Sequence, residues 1–265
     1  MRRGASRRAV AGGIAALLVL VIGGAATHVV PRPVPRRVVA AAPPPPVYHA
    51  PPPPPVPTLT TIATVTGALR YSATPGGRPI GAIPVGSWWG QTKRLPVVAR
   101  LPGWLEVRLP QRPNGLTGWI PARSARLSTT RFAILVDVTT TRLQLWHAGR
   151  LLYDLPAGVG TTTDPTPLGI YYVMDVAPPE GPGWGPFILD TNAHSDAIQS
   201  WEGEGDAFTA IHGPLGADAE IGTTGGAISH GCIRLHDADL AKLAGVPPGT
   251  PVVITAARLV AARTP

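Results

Sequence analysis

The chain has 265 residues and a formal net charge of +8 that is unevenly distributed. Residues 1–57 contain seven arginines and no acidic residue, whereas residues 58–265 contain 16 basic and 15 acidic side chains and are nearly neutral. A folded region without excess positive charge lacks the basic surface that nucleic-acid binding requires, so we expect no nucleic-acid partner. The length allows one large domain or two small ones.

The N-terminus has the features of an export signal. Four arginines precede an apolar run over residues 9–30, in which the small residues Gly24, Ala25 and Ala26 follow the most apolar part. This pattern is typical of a signal peptide, but the run is also long enough to remain as a membrane anchor. Residues 1–30 are therefore predicted to be a signal peptide or membrane anchor. Either one places the rest of the chain outside the cytoplasm, in the cell wall or periplasmic space.

A proline-rich linker follows at residues 31–57, which contain 13 prolines. Such a stretch favours extended polyproline II and would span roughly 80 Å at about 3.1 Å per residue. We interpret it as a stiff spacer, with a disordered linker as the alternative.

Residues 58–128 show short apolar runs between Gly/Pro turns, which predict a small barrel. The predicted strands are Thr60–Val65, Pro79–Ile83, Pro96–Ala99, Trp104–Leu109 and Gly118–Ile120. The Gly-Trp-Leu-Glu-Val segment from Gly103 and the Gly-Trp-Ile segment from Gly118 resemble the bacterial SH3-like domain. We expect Trp104 and Trp119 to lie in its core.

Residues 129–258 are also predicted to be mainly β, with 259–265 as a tail. The predicted strands are Phe132–Val138, Arg142–Trp146, Leu151–Leu155, Leu168–Val176, Ala207–His212 and Pro251–Thr255. Between them, residues 177–206 are rich in Gly, Pro, Trp and acidic residues, and we interpret this stretch as an irregular lid. One helix is predicted, with Asp237 as N-cap, residues 238–244 as its body and Gly245 after its end.

The only cysteine lies in the hexapeptide Ser229-His230-Gly231-Cys232-Ile233-Arg234. A lone cysteine in an exported protein has no intramolecular disulfide partner, so Cys232 is a free thiol or forms an intermolecular bridge. A free thiol is either a buried apolar residue or a reactive group. A thiol attacks as thiolate and therefore needs a base. His212, His230 and His236 are the candidates, and His230 would share a face with Cys232 if the segment were extended.

Two other kinds of protein were considered. The same three histidines and Cys232 could bind zinc, but the sequence has no C-x-x-C or H-E-x-x-H spacing. A non-catalytic wall-binding protein should have lost the cysteine or the histidine. We therefore favour a cysteine enzyme that needs no metal or cofactor.

His212, a 16-residue spacer and the hexapeptide from Ser229 to Arg234 together resemble the signature of the L,D-transpeptidase (YkuD) family. The resemblance covers about residues 131–256 and includes the segment from Thr166 to Tyr171. It implies a mainly β fold, with the SH3-like barrel followed by a β-sandwich-like catalytic domain that has one or two short helices. Arg234 stands where the family often has Asn.

The resemblance also implies the site. Cys232 would be the nucleophile and His212 the proton acceptor and donor, oriented by the backbone carbonyl of Gly213. His230 would line the site, and the N–H groups of Gly231 and Cys232 would bind the oxyanion. Ser229 and Arg234 would bind substrate.

The implied substrates are peptidoglycan stem peptides, as donor and as acceptor. An acyl-enzyme resolved by the side-chain amine of another stem would give a 3–3 cross-link. Water would make the protein an L,D-carboxypeptidase, and another protein's amine would make it an anchoring transpeptidase. The carboxylates of the predicted lid, residues 177–206, would receive the acceptor amine.

Overall fold

The computed structural model describes residues 55–84, 86, 89–201, 203, 205–223 and 226–257. The predicted export segment 1–30, nearly all of the proline-rich linker and the tail 259–265 lie outside these ranges. All the described residues belong to one unit, Tyr48–Pro265. Within them, no helix is long and apolar enough to cross a membrane.

An antiparallel sheet of seven strands forms the first part of the fold, in the order β3-β2-β6-β5-β4-β1-β7. Its strands are β1 Thr60–Val65, β2 Leu69–Ser72, β3 Pro79–Ile83, β4 Lys93–Leu101, β5 Trp104–Arg108, β6 Thr117–Pro121 and β7 Arg126–Thr130. A 3₁₀ turn lies at Ala122–Ser124. The five predicted strands are present, and β2 and β7 are additional. β7 escaped prediction because four of its five residues are exposed and it lacks an apolar face. That the sheet forms an SH3-like barrel stays a prediction.

The prediction that Trp104 and Trp119 lie in the core is wrong. In β5 and β6 the buried side chains are Leu105, Val107 and Ile120, each 3% exposed or less. Because side chains alternate along a strand, Trp104 and Trp119 lie on the opposite face and are only half-buried.

The second part contains an eight-stranded mixed sheet in the order β10-β9-β8-β17-β12-β13-β14-β16. Its strands are β8 Phe132–Asp137, β9 Arg142–His147, β10 Arg150–Pro156, β12 Gly169–Ala177, β13 Ile188–His194, β14 Phe208–His212, β16 Ile233–Arg234 and β17 Pro251–Thr255. The short strands β11 Val159–Gly160 and β15 Ala227–Ser229 pair separately. The mainly β fold class is thus confirmed.

The prediction that residues 177–206 form one irregular lid is wrong, because β13 lies in its middle. This strand escaped prediction because three of its buried side chains are polar: Thr191, Asn192 and His194. Their hydrogen bonds explain the burial. Asn192, for example, accepts from the Tyr172 N–H and donates to the Leu109 carbonyl. The irregular stretches are therefore two, at 178–187 and 195–207.

The two sheets share apolar contacts. Tyr172 and Met174 of β12 pack in the same cluster as Val65, Leu95 and Val107 of the first sheet. The predicted domain boundary at 128/129 falls within β7, shortly before the chain enters the second sheet at β8. That these are two domains stays a prediction.

The predicted helix is shorter than expected. The helix α1 covers Asp237–Leu240 with His236 as its N-cap, and a 3₁₀ turn follows at Ala241–Leu243. Asp237 is thus the first helical residue, where its negative charge suits the positive end of the helix dipole. Gly245 follows at φ +88°, as expected for a residue after a helix end.

Candidate active site

Strand register brings Cys232 and His212 to the same face of the sheet. The parallel strands β14 and β16 pair Ile211 with Ile233 and His212 with Arg234. Both isoleucines are fully buried in the main core. Because side chains alternate along a strand, His212, Arg234 and the preceding Cys232 lie on the opposite face. Residues 20 positions apart in the chain are therefore neighbours in the fold.

The Cys232 thiol sits in a mostly apolar setting. It packs against a small cluster that includes Trp184 and Ala210, and the Ala210 N–H points at its Sγ at 3.5 Å. Burial raises the pKa of the Cys232 thiol, and the charges of Asp190 and Glu180 act in the same direction. The thiol is therefore protonated at neutral pH and requires a base.

His212 has the arrangement of such a base. Its Nδ1 lies 2.8 Å from the Gly213 carbonyl oxygen, and since a carbonyl only accepts, Nδ1 carries the proton. Nε2 is left with a lone pair. Burial lowers the pKa of His212 to about 4; the charge of Arg234 also lowers it, and the bond to Gly213 opposes the shift. The Trp184 ring covers the imidazole at a centroid distance of 4.6 Å.

Ser229 is engaged in the turn that presents the thiol. Its Oγ accepts from the Gly231 N–H at 3.1 Å and donates to the Cys232 carbonyl at 2.5 Å. Ser229 is 2% exposed and these two bonds shape the turn; its predicted contact with substrate stays a prediction. The Gly231 N–H is engaged by the Ser229 hydroxyl, and its predicted part in binding an oxyanion also stays a prediction.

Gly231 has the backbone conformation that requires glycine. Its φ is +120°, a region that other residues rarely adopt, although an added Cβ would meet nothing closer than 3.5 Å. Its conformation rather than crowding restricts the position. It also breaks the extended geometry that would have placed His230 and Cys232 on one face. His230 is exposed, with its ring 5.8 Å from that of Trp201.

Thr166, which was not predicted to belong to the site, stabilises the turn around Gly231. The buried Thr166 Oγ1 donates to the Gly231 carbonyl at 2.9 Å and accepts from the Gly160 N–H at 2.8 Å. The Thr161 N–H donates to the Ser229 carbonyl at 3.0 Å. Residues 160–166 thus brace the turn.

Arg234 places a positive charge on the same face. Its Nη1 is 3.5 Å from the Pro214 carbonyl, and its buried Nε has no hydrogen-bond partner in the described part of the chain. A buried donor without a partner is costly, so this guanidinium is suited to bind a ligand carboxylate or carbonyl.

One carboxylate of the predicted lid, Asp206, is engaged by groups other than an acceptor amine. Asp206 lies 2.9 Å from both Arg112 Nε and His194 Nδ1. Burial raises its pKa, but hydrogen bonding to His194 and other groups outweighs that and holds the pKa of Asp206 below its usual value. This carboxylate thus joins the two sheets. Glu202 and Glu204 lie outside the described residues.

Asp190, another carboxylate of residues 177–206, lies on the site face. It lies on β13 opposite Ala210, and Trp89 Nε1 donates to its Oδ2 at 2.6 Å. Burial raises the pKa of Asp190 to about 6, and the charges of Asp175 and Glu180 add to the effect. The short apolar run from Phe187 to Leu189, which follows Gly185 and Pro186, could have indicated its position.

Comparison with known proteins identifies the second part of the chain. The model of the YkuD family, the L,D-transpeptidase catalytic domain, matches residues 131–254. A putative L,D-transpeptidase YkuD of Bacillus licheniformis is 30% identical over 128 residues, which cover 48% of this chain and 67% of that protein. The chain belongs to the L,D-transpeptidase (YkuD) family. The family acts on peptidoglycan peptides and belongs to the acyltransferases.

Solved L,D-transpeptidases resemble this one in part. A structure from Mycobacterium smegmatis covers 76% of this chain and 98% of its own, at 16% identity and a TM-score of 0.39. LdtMt1 in complex with imipenem covers 72% of this chain and all of its own, at 14% identity and a TM-score of 0.38.

In the part of this L,D-transpeptidase that the structure describes, no group of three or more His, Cys, Asp or Glu side chains could hold a metal ion. The zinc interpretation therefore has no support there. His236 caps α1 and its Nδ1 lies 2.7 Å from Asp218 Oδ1.

Proposed function

We propose that this L,D-transpeptidase forms 3–3 cross-links in peptidoglycan through a thioester on Cys232. The observation that carries the proposal is the placement of Cys232 and His212 on one face of adjacent parallel strands, with Nδ1 of His212 engaged by Gly213. A neutral imidazole with a free Nε2 beside a protonated thiol can act as a general base.

In the acylation step, Nε2 of His212 takes the thiol proton while Sγ attacks the carbonyl that follows the third residue of a donor tetrapeptide stem. The C–S bond forms and the C–N bond to terminal D-Ala breaks. The proton passes from His212 to the departing amine. The Cys232 N–H, which makes no hydrogen bond within the described part of the chain, would stabilise the oxyanion.

In the second step, the side-chain amine of another stem attacks the thioester. The new C–N bond replaces the C–S bond, one proton returns to Sγ through His212, and the acceptor stem becomes cross-linked. Arg234, with its unpaired Nε, would hold a carboxylate of the stem. Water or another protein's amine would use the same acyl-enzyme, which leaves the carboxypeptidase and anchoring reactions as alternatives.

The remaining predictions join this proposal. Residues 1–30 would export or anchor the chain, residues 31–57 would carry it into the wall, and residues 58–128 would form an SH3-like module. The partners would be peptidoglycan stem peptides.

Purified tetrapeptide muropeptides and intact-mass spectrometry test the proposal. Wild-type enzyme should gain the mass of a tripeptide acyl group and release dimers, and Cys232→Ala should do neither while keeping its circular dichroism spectrum. His212→Ala should lose about 10²–10⁴-fold in acylation rate. His230→Ala, which removes an exposed imidazole, is the matched control and should lose far less. An active Cys232→Ala enzyme would refute the proposal.

A further inference from the structure

The negatively charged residue Asp190 lies in the same row across the sheet as Cys232. Asp190 on β13 pairs with Ala210 on β14, and the register of β14 with β16 puts Cys232 beside Ala210. Paired residues point to the same face, so Asp190 and Cys232 share the site face two strands apart. At about 4.8 Å per strand their Cα atoms are roughly 10 Å apart. This distance leaves room for an ammonium group between a carboxylate and a thioester carbonyl.

The Asp190 carboxylate is held from the other sheet. Trp89, in the connection between β3 and β4, donates from Nε1 to Oδ2 at 2.6 Å. Gln91 of the same connection donates to the Val176 carbonyl at 2.8 Å. The indole occupies one carboxylate oxygen, and within the described part of the chain the other, Oδ1, makes no hydrogen bond and is open to a ligand. Asp190 is only half-buried, so a ligand can reach it.

The other carboxylates of this region are less suited. Asp175 is fully buried, and Asp206 is engaged by Arg112 and His194. Glu180 is exposed and lies on the loop after β12, beyond the sheet. Asp190 is therefore the carboxylate that combines a fixed position with access to the site face.

The two nucleophiles that can resolve a thioester differ in what they need. A side-chain amine arrives as an ammonium ion and is attracted by a carboxylate, whereas a water molecule carries no charge to recognise. When the amine attacks, its nitrogen bonds to the thioester carbon and the C–S bond breaks. One ammonium proton leaves to solvent and a second passes through His212 to Sγ.

We propose that Asp190, positioned by Trp89, binds the ammonium group of the acceptor and so directs the acyl-enzyme toward cross-linking rather than hydrolysis. This inference rests on the proposed function. Asp190 and Trp89 together would decide whether an amine or water resolves the thioester.

The test separates the two half-reactions. Asp190→Asn and wild type are incubated with purified tetrapeptide muropeptide, the acyl-enzyme is followed by intact mass, and dimer and tripeptide products are quantified. Asp190→Asn should still form the acyl-enzyme, but its ratio of dimer to tripeptide should fall about tenfold or more, with a higher KM for the acceptor, because a charge-assisted contact is lost.

Two further variants complete the design. Glu180→Gln removes a neighbouring negative charge and is the matched control, and its product ratio should stay within about twofold of wild type. Trp89→Phe keeps the Asp190 carboxyl group but removes its hydrogen bond, and should raise the acceptor KM by a smaller factor when measured at pH 8, where the carboxyl is charged. This variant also decides the question if Asp190→Asn fails to fold.

A wild-type product ratio in a folded Asp190→Asn enzyme, or an unchanged acceptor KM in Trp89→Phe if that enzyme does not fold, would overturn the inference. Failure of the wild-type enzyme to form any acyl-enzyme would instead overturn the proposed function.

Discussion

The Trp184 indole covers the His212 imidazole, with ring centroids 4.6 Å apart and planes inclined by 51°. The indole belongs to the 178–187 loop, whose Trp184 carbonyl accepts from the Gly213 N–H at 2.8 Å. An alanine at position 213 would place its Cβ 2.5 Å from the Gly185 nitrogen, so this contact requires a glycine. The loop thus excludes water from the imidazole, and that exclusion keeps His212 neutral.

Replacing Trp184 with alanine should therefore shift the acid limb of the pH profile of the acylation rate to higher pH. Burial holds the pKa of His212 at about 4, and exposure should return it toward the ordinary value of about 6.5. The measurement is the acylation rate between pH 3.5 and 8, followed by intact mass. Trp201→Ala removes an indole that faces His230 rather than His212, and its acid limb should stay in place. An unshifted limb in Trp184→Ala would contradict this role of the loop.

The acylation rate should be nearly independent of pH around neutrality. His212 is neutral above its pKa of about 4 and the pKa of the Cys232 thiol is raised, so acylation should be nearly constant from about pH 5 to 8. The measurement is the acylation rate at each pH, followed by intact mass, and a rate that changes steeply between pH 5 and 8 would contradict this expectation.

The cross-linking advantage of wild type over Asp190→Asn should depend on pH near 6. Asp190 is charged above its pKa of about 6 and neutral below it, so the advantage should be constant above that pH and disappear below it. Asp175 and Glu180 raise this pKa, and the Trp89 hydrogen bond lowers it. Product ratios of the two enzymes, compared at each pH, cancel the titration of the acceptor amine itself. An advantage that persists at pH 4.5 would argue against an ionic role for Asp190.

Ser229→Ala distinguishes a turn-forming residue from a substrate ligand. Loss of the hydroxyl leaves the Gly231 N–H and the Cys232 carbonyl without this partner, which should cost about 1–3 kcal/mol of folding free energy. We expect a lower melting temperature and a lower acylation kcat with little change in the donor KM. Ser128→Ala, at an exposed serine of β7, is the control. A raised donor KM at unchanged melting temperature would restore the predicted substrate contact.

Many strands of this protein could be predicted from the local sequence. The β8, β9, β12 and β17 strands follow from short apolar runs between turn residues, and the central strands were predicted within one or two residues of their observed bounds. The single cysteine and its family signature likewise lie in one short segment.

Tertiary structure alone decided which groups surround that cysteine. His212, Asp190 and Thr166 come to the turn through strand pairing and loop packing, and such long-range register leaves no mark at the separate positions. β13 escaped prediction because its buried polar side chains are satisfied by partners distant in sequence. The family resemblance had already favoured His212 over the neighbour His230. In the structure, one left-handed glycine turns the chain after His230, and another strand supplies the buried imidazole.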